Sequence, residues 1–229
     1  MLSMNAPPTR LIWLSHVLSS TTPLYGGSEE LRLTPLRSMS TGDSCNTTVI
    51  NLPSHAGTHI DAPYHFLPEG RTLEAFPAAF WVFKSPALAV ISLPSGALIG
   101  PDELPVTLTS DAETDLLLLK TGGESDRHRA KYWREGFGLS ASLAGHLKSR
   151  YPALRAVGVD FISISRWGNR EEGRTAHRAF LERDILLIED MSLRDIGHED
   201  KLRQVIALPL RFKGADGAPC SILGWVEET

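Results

Sequence analysis

Ser54-His55-Ala56-Gly57-Thr58-His59-Ile60-Asp61-Ala62-Pro63-Tyr64-His65-Phe66 places His55, His59, Asp61 and His65 within eleven positions of a 229-residue chain that has eight histidines in all. Such clustering asks for a chemical reason. On a helix, His55 and His59 would share a face four residues apart. Gly57 and Thr58 form helices poorly, however, and Pro63 closes the stretch. In an extended chain the odd-numbered side chains share a face, so His55, His59 and Asp61 converge, with Gly57 leaving room between them. Two imidazoles and a carboxylate suit zinc, manganese or iron(II). Pro63 then turns the chain and frees His65 to approach the same place as a proton-transfer base rather than as a ligand. The alternative is a polar network satisfied without metal.

Outward from this stretch, the composition sets bounds. A chain of 229 residues suits a single domain over 1–229 and can bury a substantial core. A hydrophobic share of 42% with 22% charged residues fits an ordinary soluble fold. A net charge of −4 gives no electrostatic reason to expect nucleic acid or an anionic membrane as partner. The apolar run Leu11 to Leu14 is too short for a signal-peptide core or a membrane span, so a cytoplasmic setting is expected. Cys45 and Cys220 are too few and too far apart for a disulfide framework or a thiolate metal site, and two reduced thiols are expected.

Strand signals recur along the chain. Leu11–Leu14 reads as a short buried strand, and Thr47–Leu52 as a β-branched edge strand that delivers the histidine stretch. Pro86–Leu93 and Asp115–Lys120 read as strands buried on both faces, and Ala156–Ile164 and Ile185–Ile188 as further strands. Ser140 is placed to cap a helix over Ala141–Arg150, and Gly173–Arg183 has helical composition. Pro101 starts a short helical turn. Val205–Phe212 and Cys220–Val226 form a hairpin, with Asp216-Gly217 as its turn dipeptide. Leu67–Pro77 passes over the site, where Phe66, Phe76, Phe80 and Trp81 are candidates for a pocket wall, and Trp167 is a candidate to reach the substrate. The charged segment 124–135 is a solvated loop, a lid or a subunit contact. His16, His128, His146 and His198 take surface or capping roles. Alternating helices and strands closed by an antiparallel pair indicate an α/β fold: a mixed β-sheet flanked by helices.

His-x-Gly-Thr-His-x-Asp-x-Pro-x-His resembles the fingerprint of the metal-dependent cyclase-like hydrolases, the family of bacterial kynurenine formamidases and isatin hydrolases. Asp160 and Ser163 resemble its Asp-x-x-Ser at the end of a central strand. The resemblance implies a swivelling β/β/α-type fold and a homodimer or larger homo-oligomer. It also implies a second metal. Kynurenine formamidases of this type hold two metals bridged by the motif aspartate, here Asp61. The second takes a histidine and a glutamate twelve residues apart, matched by His177 and Glu189. Isatin hydrolases, which use a single manganese, lack that pair. Where family members carry a Pro-Gly-Asp type of turn near the first strand, this chain has Gly26-Gly27-Ser28.

The expected ligands are therefore His55, His59, Asp61, His177 and Glu189, holding two divalent ions, zinc before manganese. His65 is the expected proton carrier. The expected reaction is hydrolysis of a small amide, N-formylkynurenine plus water giving kynurenine and formate. A cyclic amide such as isatin, or a lactone, is the alternative substrate. A metal-binding protein without turnover is the alternative of another class.

Overall fold

A strand can bury all its side chains only where both faces of its sheet are covered, and the leucines at 116–119 are fully buried. The computed structural model describes residues 9–27, 30–106, 108 and 111–227. In chain order its strands are β1 (Thr9–Trp13), β2 (Arg32–Arg37), β3 (Thr47–Asn51), β4 (His59–Asp61), β5 (Val82–Phe83), β6 (Pro86–Val90), β7 (Leu98–Ile99), β8 (Leu116–Lys120), β9 (Gly138–Leu139), β10 (Ala156–Val159), β11 (Leu186–Glu189), β12 (Leu202–Pro209) and β13 (Gly217–Glu227). The helices are α1 (Lys131–Arg134), α2 (Ala141–Arg150) and α3 (Arg170–Leu181).

Nine strands form a mixed sheet in the order β5-β12-β13-β4-β11-β10-β8-β6, with β1 beside β13. Strands β6, β8, β10 and β11 are parallel. The remaining pairings are antiparallel. The two halves meet where β4 pairs with β11. Alternation along β8 splits its leucines between two cores. Leu117 and Leu119 pack with Val157, Val159, Leu187 and the α2 and α3 residues Leu143, Leu147, Ala176 and Phe180. Leu116 and Leu118 pack with Ile60, Ile188, Phe76, Trp81, Phe83, Val205 and Ile222. Each such leucine contributes about 1.5–3 kcal/mol through burial. The seam between β4 and β11 is thus clamped from both sides.

Several sequence expectations are corrected. Strand β6 is the sheet's edge and only half-buried, because among the described residues no strand pairs with its outer side. Strand β1 leaves Leu11 and Trp13 exposed, and Leu14, just past it, is the buried residue. Strand β3 pairs with β2 in a separate two-stranded ribbon whose residues are all exposed, so it is not part of the main sheet that carries the site. Ser140 has the extended backbone of an N-cap, but its hydroxyl pairs with that of Ser142 rather than with a helix amide. The loop between β12 and β13 is longer than a dipeptide turn, and Gly214 takes its left-handed position (φ 77°). Segment 124–135 is anchored, with Glu124 and Tyr132 buried and Arg127 bound to Asp190. Both cysteines are free. Among the described residues, no helix is long and apolar enough to cross a membrane.

Candidate metal centre

Strand β4 supplies the first side chains. His59 and Asp61 flank Ile60, so alternation sends both polar groups to one face and Ile60 into the core. The antiparallel register sets Glu189 directly opposite His59 and Leu187 opposite Asp61. Directly opposed residues share a face, which brings Glu189 beside His59. Helix α3 adds His177 from its buried face, next to Ala176 and Phe180.

His55 arrives differently from the extended arrangement expected. Residues 54–55 form a turn and 57–58 a bend, and Gly57 has φ 63°. A Cβ there would also lie 2.4 Å from Leu18 Cδ2, so Gly57 supplies conformation and close approach rather than a gap between ligands.

The five proposed ligands form two groups around Asp61. His55 Nδ1 is 2.8 Å and His59 Nε2 3.5 Å from Asp61 Oδ1. His177 Nε2 is 3.5 Å from Asp61 Oδ2 and 3.5 Å from Glu189 Oε1. His59 Nε2 is 3.3 Å from Glu189 Oε2. Within each of the sets His55/His59/Asp61 and Asp61/His177/Glu189, the candidate ligand atoms lie within 4.8 Å of one another. Asp61 thus turns one oxygen to each set, the arrangement a bridging carboxylate needs.

The donor set fits a divalent cation. His59 Nδ1 donates to Gly57 O at 2.7 Å and His177 Nδ1 to Gly173 O at 2.8 Å. Those bonds assign the tautomer, leaving Nε2 lone pairs aimed at carboxylate oxygens. Acceptor facing acceptor is repulsive until a positive charge sits between them. Asp61 Oδ2 is buried and has no hydrogen-bond partner. Without metal the imidazoles themselves take up protons. Burial alone would lower the pKa of His177, but Asp61 and Glu189 override it and raise it to about 10. His55 is likewise raised to about 10 by Asp216 and Asp61 against burial. Burial pushes Glu189 upward too, yet His177 and His59 bring it down to about 2. Ser163 Oγ and the Ile164 amide hold Glu189 Oε1 at 3.1 and 2.7 Å.

His65 stands apart from this pattern. Its ring lies 3.9 Å from that of His55, and burial lowers its pKa, so it is neutral at neutral pH. Around these groups is a cavity of about 320 Å³, walled also by Leu24, Tyr25, Phe66 and Ile162. A larger apolar groove of about 690 Å³ runs along Trp13, Val17, Ile50 and Leu208, and it contains none of the clustered histidines and carboxylates.

Of the expected wall aromatics only Phe66 serves, stacked 4.3 Å from His177; Phe76, Phe80 and Trp81 pack with the second core. Trp167 packs on Tyr25 and Trp133 and backs the cavity wall without lining it. Ser28 lies outside the described residues. His16 is not a surface residue: it is largely buried beside Glu124, and burial lowers its pKa to about 4. His146, His128 and His198 are exposed as expected. Sequence reasoning missed Asp216, whose Oδ2 is 2.8 Å from His55 Nε2. An Asp-Gly pair 161 residues from His55 carries no local signal for that contact.

The Cyclase family model, described as "Putative cyclase", matches residues 12–166. The fold is similar to a potential metal-dependent hydrolase with cyclase activity, at TM-score 0.73 and 22% identity over 97% of this chain and 100% of that one. It is similar to an isatin hydrolase bound to the product analogue thioisatinate, at TM-score 0.78 and 15% identity over 96% and 93%. A predicted metal-dependent hydrolase from Bacillus stearothermophilus matches at TM-score 0.72 and 23% identity over 95% and 98%.

Proposed function

The chain belongs to the cyclase family, and from that premise we propose that it is a metal-dependent hydrolase of a non-peptide C–N bond, with an aryl formamide as substrate. One observation carries the reading: two ligand sets share Asp61, beside a histidine that keeps its proton-accepting form. His55, His59 and Asp61 Oδ1 would hold one divalent ion, and Asp61 Oδ2, His177 and Glu189 the other, zinc before manganese. Such ions, when bound, lower the pKa of water from about 15.7 to roughly 7 and polarise a carbonyl oxygen.

The chain's own residues do the rest. His65 Nδ1 faces Asp216 Oδ2 at 3.4 Å, which leaves Nε2 to take a proton during attack and return it to the leaving nitrogen. Tyr25, Phe66, Leu24 and Ile162 offer apolar contact to an aryl ring. A cavity of about 320 Å³ is at the small end of ligand sites and suits a single-ring substrate. The substrate we favour is N-formylkynurenine. The expected homo-oligomer and cytoplasmic setting accompany this reading as proposals.

Similarity to an isatin hydrolase favours a second reading, hydrolysis of a cyclic amide. The pair His177 and Glu189 weighs toward the formamide. Rates on N-formylkynurenine, other aryl formamides, isatin and a set of lactones decide between them. The expected result is turnover of the formamides, abolished by a chelator and restored by zinc or manganese. Preferential turnover of isatin or a lactone overturns the substrate, and metal-loaded protein inert on the whole panel overturns the enzyme.

A further inference from the structure

The three imidazoles of the two ligand sets each turn one nitrogen toward the carboxylates. In His59 and His177 the other nitrogen is fixed by a backbone carbonyl, from Gly57 and Gly173. Among the described residues no such carbonyl meets His55. Its Nε2 meets Asp216 Oδ2 at 2.8 Å while Nδ1 faces Asp61. We propose that Asp216 is a positioning residue, which accepts the Nε2–H of His55 so that Nδ1 presents its lone pair to the first metal position, and which holds the base His65 through the same oxygen. The inference rests on the reading of His55 as a ligand.

The loop is built to hold that carboxylate in place. The Ala62 amide donates to Asp216 O at 2.8 Å, tying the loop to the histidine stretch. The Leu73 amide donates to Ala215 O at 3.0 Å, and Glu74 accepts from the Gly214 and Ala215 amides. Gly217 sits opposite Asp61 in the register. A Cβ on Gly217 would lie 2.4 Å from His55 Cε1 and 2.9 and 3.0 Å from its two nitrogens. The ring therefore lies flat against the Gly217 backbone with its edge pinned by Asp216. Asp216 Oδ2 is also 3.4 Å from His65 Nδ1, so one carboxylate sets the relative placement of ligand and base. His55, His65 and Asp216 also have the composition of a ligand set. Asp216 is the most exposed of the three, with 36% of its side chain open to solvent, and His55 can give Nε2 to only one partner.

The test measures zinc affinity by competition with a chelator for wild type, Asp216→Ala, Asp216→Asn and Gly217→Ala, together with saturating zinc stoichiometry and the melting temperature of metal-free protein. Outer partners of ligating histidines change affinity by about 10–100-fold. Asp216→Ala is expected to weaken one zinc by that factor with stoichiometry at saturation unchanged. Asp216→Asn keeps an oxygen acceptor and is expected to recover most of the affinity. Gly217→Ala, which displaces the ring, is expected to resemble Asp216→Ala. With substrate, kcat is expected to fall in Asp216→Ala while KM holds. Unchanged affinity in Asp216→Ala overturns the proposal, and so does the loss of one zinc equivalent at saturation, which would make Asp216 a ligand. If Asp216→Ala does not fold, a loss of about 10–100-fold in zinc affinity in a folded Asp216→Asn overturns it. Zinc binding needs no substrate, so failure of the hydrolase reading leaves this result legible on its own.

Discussion

Glu189 and Asp190 are adjacent in the chain and both buried, yet they end in opposite chemical surroundings. Asp190, in a left-handed backbone conformation (φ 53°), accepts hydrogen bonds from Arg127 Nε and Nη2 at 2.8 and 2.7 Å and from the Tyr132 hydroxyl at 2.6 Å. Its charge is matched inside the protein. Among the described residues neither Glu189 nor Asp61 pairs with lysine or arginine; both face imidazole nitrogens, and Asp61 Oδ2 has no hydrogen bond. A buried charge closed by arginine and tyrosine is scaffold. A pair of buried carboxylates ringed by imidazoles can be balanced by protons on those imidazoles or by a metal ion between them, and burying the charge without either costs several kcal/mol.

The sharpest contrast comes from substitutions within the open cluster. Asp61→Ala removes the charge between the two ion positions and is expected to lose metal and turnover together, down to background. His65→Ala is expected to keep its metal and its melting temperature while turnover falls about 100- to 10,000-fold. Metal analysis, thermal melting and rates on both variants check the pair. Metal depletion in His65→Ala would make His65 a ligand and merge the two roles.

On the closed side, Arg127→Ala removes the guanidinium from the Asp190 carboxylate and leaves it the Tyr132 hydroxyl. The expected cost is about 3–5 kcal/mol of stability, or roughly 2–4 °C of melting temperature per kcal/mol at this size, with zinc stoichiometry unchanged. Denaturant melts and metal analysis read it. If Arg127→Ala loses zinc without losing stability, the division between the two clusters fails.

The smallest effect is in the pH dependence of the metal-free protein. His177 and His55 are raised to about 10 from an unfolded value near 6.5. Their stabilisation is complete below about pH 6.5 and is lost as pH rises toward 10. Glu189 is lowered to about 2 from 4.5, so its contribution is complete above about pH 4.5 and is lost below. His16 and His65, lowered by burial, add stability as pH rises toward 6.5, so chelator-treated protein should melt highest near pH 6.5 and lose a few degrees by pH 9. Zinc should restore more at pH 9 than at pH 6, because the metal displaces protons from the imidazoles and that displacement costs less as pH rises. A flat melting profile without metal would contradict the electrostatic picture of the open cluster.

Much of the site was legible locally. His59 and Asp61 could be placed on one face because β4 is extended and its period is two. His177 and Glu189 were matched through family resemblance, since nothing in α3 or β11 alone marks them. Phe76 and Trp81 misled because an aromatic near a site has the same composition whether it faces substrate or core. His16 was expected in a surface or capping role, yet it is largely buried beside Glu124, a contact set by the anchoring of segment 124–135. Strand β3 preceded the motif in sequence yet belongs to another sheet, because strand pairing is not a local property.

The amino-acid order alone determined which chemistry was possible: the ligand types, the alternation that carries them and the strands that must be buried, all consequences of side-chain identity and backbone period. Tertiary structure decided how the pieces meet. The antiparallel register of β4 on β11 put Glu189 opposite His59 rather than one residue away, which would have turned it to the other face. The left-handed turn at Gly57 brought His55 onto Asp61, and the loop before β13 set Asp216 against His55 across 161 residues. Those contacts depend on strand pairing and loop closure between distant segments, and no local stretch of sequence contains the energy that chooses among them.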